Sequence, residues 1–114
     1  MFQLSLFVEC QNKNEALTIL HELFKKIDTM ITSHDVRSNE PYWKFDGWFK
    51  IVCNIETSKS ILDIKEAEKI LVKISNKWLW DKGKISVSST INNEGTVFFN
   101  EKVRFFTCWF EDFE

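Results

Sequence analysis

The residues of this chain that could do chemistry are two histidines, three cysteines and the acids near them. Their spacing argues against most of that chemistry. His21 flanks the apolar stripe of a helical pattern, and His34 stands beside Asp35 in a polar strand pattern. Neither belongs to a His-x-x-Glu pair or a closely spaced ligand set, so no metal site is expected. Cys10, Cys53 and Cys108 show no C-x-x-C spacing, and each falls inside a strand pattern. An odd set of this kind reads as buried, reduced thiols. A Cys–His nucleophile pair forms in space, not in sequence, but nothing marks any of these thiols as activated. Three glycines cannot build a phosphate-cradling loop, and neither a P-loop nor G-x-G-x-x-G is present. The expectation is a protein that is not an enzyme, with no cofactor and no metal.

One stretch has the look of a nucleic-acid reader. In "KFDGWFKIV", Lys44, Gly47, Trp48 and Phe49 place a base, a glycine and aromatics on one strand, and Phe7 on the first strand could stack a base. Against this stand only two arginines, and Asp46 and Glu9 on the face that would meet phosphate. The net charge of −2, with 15 bases and 17 acids spread evenly, supplies no field for a polyanion. A nucleic-acid partner is not expected.

The elements that must position these residues follow from the patterning. The chain has 114 residues, 44% of them hydrophobic and 15% aromatic, with eleven Phe and five Trp. That is one domain, 1–114, with enough large rings for a dense core. No apolar stretch approaches the roughly 18 residues of a membrane span. "MFQLSLFVEC" lacks a basic n-region and a cleavage site, so it reads as a strand and not a signal peptide. The expected location is cytoplasmic. A wealth of Lys, Asn, Ile and Phe is usual for an AT-rich bacterial genome.

In "FQLSLFVE", Phe2, Leu4, Leu6 and Val8 alternate with Gln3, Ser5, Phe7 and Glu9, the mark of a half-buried strand. A helix follows, with Asn12 as N-cap, Glu15 three residues on, and Ala16, Leu20, Leu23, Phe24 and Ile27 as its stripe. "MITSHDVR" reads as a polar edge strand, and "SNEPYW" as a turn punctuated by Asn39 and Pro41. Lys44 to Glu56 reads as the longest strand and a central one. Asp63 caps a second helix with the stripe Ala67, Ile70, Leu71, Ile74 and Trp78, and Lys69, Lys73 and Lys77 form its wet ridge. "WDKG" should close that helix with Gly83 left-handed. "KISVSSTI" is a further strand with Ile85, Val87 and Ile91 on one face. "TVFFNEKVRFFTCWFED" is either one long bulged strand or a short strand and a terminal one.

The order β-α-β-β-α-β-β predicts an α+β fold, a two-layer ferredoxin-like sandwich. Two helices would cover one face of an antiparallel sheet of four or five strands, the extra strand lying beside the fourth. The aromatic ending is then a sheet strand, kept from pairing with other chains by Glu111, Asp112 and Glu114. Leu4, Leu6, Leu20, Phe24, Phe49, Ile51, Ile70 and Ile74 are the expected core.

Helices on one face leave the other open. Strand parity assigns Phe7, Asp46, Trp48, Lys50 and Val52 to that face, with rings from the last strand, whichever parity turns inward. Either the loops around Tyr42, Trp43, Trp80 and Phe98 fold over it, or it is a surface for a partner or a second copy. The candidate protein-binding residues are Trp48 beside Asp46 and Lys50, Phe7, and Trp109 and Phe110 beside Glu111 and Asp112. Each site sets aromatic anchors among charges that can steer and register a partner.

A compact, Gly-poor, Trp- and Phe-rich, mildly acidic domain of this size without catalytic motifs resembles the small immunity proteins of bacterial polymorphic-toxin and contact-dependent inhibition systems. The resemblance implies a protein that binds a cognate toxin, commonly a nuclease, and blocks it. No residue role carries over, and −2 is a smaller charge than strongly acidic nuclease inhibitors bear. The alternative is a ferredoxin-like ligand-binding or self-associating module, a homodimer through the open face.

Overall fold

The computed structural model describes residues 1–113. Six strands and two α-helices follow in the order β1 (Phe2–Glu9), α1 (Lys13–Ile27), β2 (Ile31–Pro41), β3 (Trp48–Thr57), α2 (Ile64–Leu71), β4 (Leu79–Trp80), β5 (Ser86–Thr90) and β6 (Val103–Phe110). The strands form one sheet in the order β2-β3-β1-β6-β5-β4, with every pairing antiparallel. The fold is α+β with an antiparallel sheet and two helices, as expected. Strand number and order depart from the ferredoxin-like pattern. The chain leaves α2 through a short hairpin, β4–β5, and β6 then inserts between β5 and β1.

Both helices start where the sequence places their caps. The Asn12 side chain accepts from the Glu15 N–H at 2.8 Å, and Asp63 accepts from the Glu66 N–H at 2.9 Å. The Glu15 carboxylate binds the Lys102 ammonium and also accepts from the Gln11 N–H at 3.1 Å, and these, Lys102 foremost, hold its carboxyl below the usual range. The α1 stripe, Ala67, Ile70 and Leu71 of α2, and the inward parity of the strands form one core. Phe2, Leu4, Leu6 and Val8 of β1 meet Ile51, Cys53 and Ile55 on one side and Phe106, Cys108 and Phe110 on the other. A single core fed by both helices puts them on the same sheet face. Each buried Val, Leu, Ile or Phe among them contributes roughly 1.5–3 kcal/mol.

Several expectations are corrected. The strand expected from Lys44 begins at Trp48, because Gly47 turns the chain at φ +79°. The longest strand is instead β2, an edge of 11 residues that runs through Asn39 to Pro41. An edge tolerates Pro, whose missing N–H costs no ladder bond there. Helix α2 stops at Leu71. Ile74 stays buried beyond it, and half-buried Trp78 donates its indole N–H to the carbonyls of Leu71 and Ser75, both at 3.0 Å. "WDKG" is the β4–β5 turn, and it is Lys84, not Gly83, that takes the positive φ of 54°. Asp81 organises that turn by accepting from the Ser86 hydroxyl at 2.7 Å, which lowers its carboxyl pKa. Ile85 and Ile91 lie outside β5 and are exposed, whereas Ser89 is buried with its hydroxyl 2.6 Å from that of Ser75. "TVFF" adds no strand, only a bridge from Phe98 to Ser75. Cys10 lies just past β1 and is half-buried, and Phe49 is likewise only half-buried.

Candidate functional site

The sheet face away from the helices carries the outward parity of the strands. Across it run Lys50, Phe7 and Phe105 in register, then Val52, Ser5 and Thr107, then Asn54, Gln3 and Trp109. Strand β5 continues these rows with Thr90, Ser88 and Ser86. One end is therefore aromatic, the middle is a flat strip of small side chains, and Trp109 rises at the far end, 41% exposed.

The β2–β3 connection builds the aromatic end. The Tyr42 N–H donates to the Trp48 carbonyl at 2.8 Å, and the Cys10 N–H holds the Gly47 carbonyl at 3.0 Å. The closed turn lays Phe45 against Trp48, with centroids 4.4 Å apart, and Tyr42 edge-on to Phe7 at 4.9 Å. Phe105 flanks Phe7 at 5.2 Å. These separations are those of favourable ring pairs. Between this cluster and Thr90–Asn92 lies a cavity of about 430 Å³, with Lys44 and Arg104 in its lining. The Lys50 ammonium stands 5.4 Å from the Phe7 centroid, a cation–π placement, and Arg104 is tied to Glu9 at 3.1 Å.

The candidate residues divide accordingly. Phe7, Trp48 and Lys50 come together in the aromatic cluster, with Asp46 exposed in the adjoining turn. Phe7 is only 7% exposed, so it supports the cluster more than it meets solvent. Trp109 is on the same face but at its other end. Phe110 is in the core at 2% exposure, where Phe113 stacks on it at 4.9 Å and Trp80 lies 5.9 Å away. Glu111 is exposed, while Asp112 binds the N-terminal ammonium at 2.7 Å. Glu114 lies outside the described residues.

The loops expected to cover the face do so only in part. Tyr42 covers Phe7, but Trp43 projects at 85% exposure. Trp80 and Phe98 pack on the core side. Sequence reasoning missed Tyr42, Phe45, Lys44, Arg104 and Phe105 as site residues. Asp46-Gly47 was the available signal for the turn that brings Phe45 over Trp48. Nothing in "RFFTCWF" indicated which of its two aromatic parities faces in.

Of the reactive groups elsewhere, both histidines are exposed and the three thiols are wholly or partly buried. His34 lies tilted against Phe24 at 4.3 Å, and His21 lies 6.0 Å from the same ring. Burial pushes the Cys53 thiol up to about 11 and Cys108 higher still, and it raises Cys10 as well. Thiols held protonated are poor nucleophiles. Among the described residues no group of three or more His, Cys, Asp or Glu is placed to hold a metal ion. No described helix is long and apolar enough to cross a membrane. No protein-family model, curated protein or solved structure matches the chain.

Proposed function

We propose that this chain is a non-enzymatic protein-binding domain that works as an immunity protein, occupying and neutralising a cognate bacterial toxin in the cytoplasm through its open sheet face. The observation that carries the reading is one well-packed sheet with one covered and one uncovered face, the uncovered one holding a ring cluster at one end and a half-exposed tryptophan at the other. Apolar patches of this kind mark interaction surfaces. Aromatic anchors around a flat, small-residue centre suit a rigid protein partner, because tryptophan and tyrosine dominate interface energetics. The same proposal takes the sheet as a ferredoxin-like sandwich extended by β4 and β5.

The test is co-expression with the toxin domain of an adjacent reading frame, followed by Trp48→Ala and Trp109→Ala. Loss of an interface anchor weakens binding by about 2 kcal/mol or more, on the order of thirtyfold, while the fold survives. Full protection by both folded variants would sink the reading. The other occupant of the face is a second copy, and sedimentation at micromolar concentration separates the two. A stable dimer closed over Trp48 favours the self-associating module.

A further inference from the structure

Resting on the reading of the open face as a protein-docking surface, we infer that the cavity between the Tyr42–Gly47 turn and Thr90–Asn92 receives an aromatic side chain of the partner, and that an acidic residue beside it meets Lys44 and Lys50. A concavity of about 430 Å³ with rings as half of its lining lies in the range of sites that hold a ligand group. Tyr42, Phe45, Trp48 and Phe105 all line it, and rings pair favourably with an inserted ring.

Charge selects the partner's chemistry. The chain as a whole has 17 acids to 15 bases, yet the cavity lining holds Lys44 and Arg104 and no carboxylate. Arg104 shares its charge with Glu9. Lys44 and Lys50 have no carboxylate partner among the described residues, and each stands over a ring, at 5.9 Å from Phe45 and 5.4 Å from Phe7. A carboxylate brought to them meets cations already held at the cavity, with no ion pair to break first.

The chain's own acidic aromatic segment is not the occupant. Phe113 is stacked on Phe110 and Trp80, and Asp112 is bound by the N-terminal ammonium. A second copy docking that segment head to tail would form a heterologous contact, which yields a ring or a filament and not a simple dimer. The occupant is therefore an acidic segment of a different protein.

The experiment titrates the isotope-labelled chain with three capped tripeptides, Asp-Trp-Glu, Asp-Ala-Glu and Lys-Trp-Lys, read by amide chemical shifts. Asp-Trp-Glu should move Trp48, Thr90 to Asn92 and Phe105, and bind about fivefold or more tighter than the other two. Raising salt from about 0.05 to 0.5 M should weaken it several-fold, since exposed charges are screened over that range. Lys44→Glu, in an exposed turn, should weaken Asp-Trp-Glu and favour Lys-Trp-Lys. Equal binding of the three peptides, shifts centred elsewhere, no response at millimolar peptide, or concentration-dependent assembly of the free chain through this cavity each overturns the inference. Failure here with toxin binding intact rejects the occupant and spares the docking face. Undiminished toxin binding by both Trp48→Ala and Trp109→Ala rejects the face itself.

Discussion

Phe110 and Trp109 are neighbours in sequence on opposite faces of β6, so truncating each to alanine tests the register of the strand that completes the site. Phe110 is 2% exposed, with Phe2, Phe113 and Trp80 at ring separations of 5.5, 4.9 and 5.7–5.9 Å from it or from each other. Removing its ring opens a cavity in that stack, and a buried Phe→Ala change costs about 3–5 kcal/mol. With a urea slope of roughly 1–3 kcal/mol per molar, the midpoint should fall by about 2 M. Trp109 is 41% exposed and faces Gln3 and Ser86 across the ladders. Its loss removes only partly buried area and should cost about 1 kcal/mol, for a midpoint shift of about 0.5 M. Urea unfolding followed by far-UV circular dichroism reads both variants and is insensitive to which tryptophan remains. A one-residue slip would exchange the two faces of β6. If Trp109→Ala were as costly as Phe110→Ala, or more so, the register and the site built on it would be refuted.

Three further outcomes follow from the packing. Ser75→Ala orphans the buried Ser89 hydroxyl and should cost about 1–3 kcal/mol, whereas Ser89→Ala should cost less, because Ser75 keeps its bonds to the Lys77 backbone. A double-mutant cycle in urea should give a coupling of about 1 kcal/mol between them. The buried thiols Cys53, at about 11, and Cys108, higher, keep their protons in the fold while unfolded thiols ionise near about 8.5. The unfolded chain then binds fewer protons, so stability should fall as pH rises from about 8.5 to 11 and be flat below, and native-state labelling near pH 8 should reach Cys10 well before the other two. Gly47→Ala meets no atom within 4 Å, so its cost at φ +79° should be conformational, about 1–2 kcal/mol, and calorimetry should register it as a lowered Tm.

The fold was legible wherever one physical signal dominated. Asn12 and Asp63 announce their helices because a cap needs a specific side chain at a specific offset, and the parity of β1 needs only alternation. Legibility failed where two signals competed. Phe45 continues the parity of β3, so the strand reads back to Lys44, but Gly47 at positive φ breaks it and folds Phe45 onto Trp48. Ile74 and Trp78 continue the α2 stripe, yet both lie beyond its last turn, Ile74 buried and Trp78 half-buried. The aromatic end of the site depends on that same Tyr42–Gly47 turn and on β6 pairing with β1, a contact between residues about a hundred positions apart that no local pattern encodes. The strand that the pattern did not announce is β4, because two residues, Leu79 and Trp80, are too few to carry a period.

The central claim is that a partner protein docks on the open sheet face, and Thr107 lies at its centre, between Ser5 and Ser88 in the strip of small side chains. Thr107→Arg raises a long charged side chain there without entering the core, with Glu68→Arg on the exposed side of α2 as the control. The measurement is the affinity of each folded variant for the co-expressed toxin domain by calorimetry. Thr107→Arg should weaken binding on the order of a hundredfold or more and Glu68→Arg should leave it unchanged. A folded Thr107→Arg chain that binds as tightly as the parent would contradict the claim.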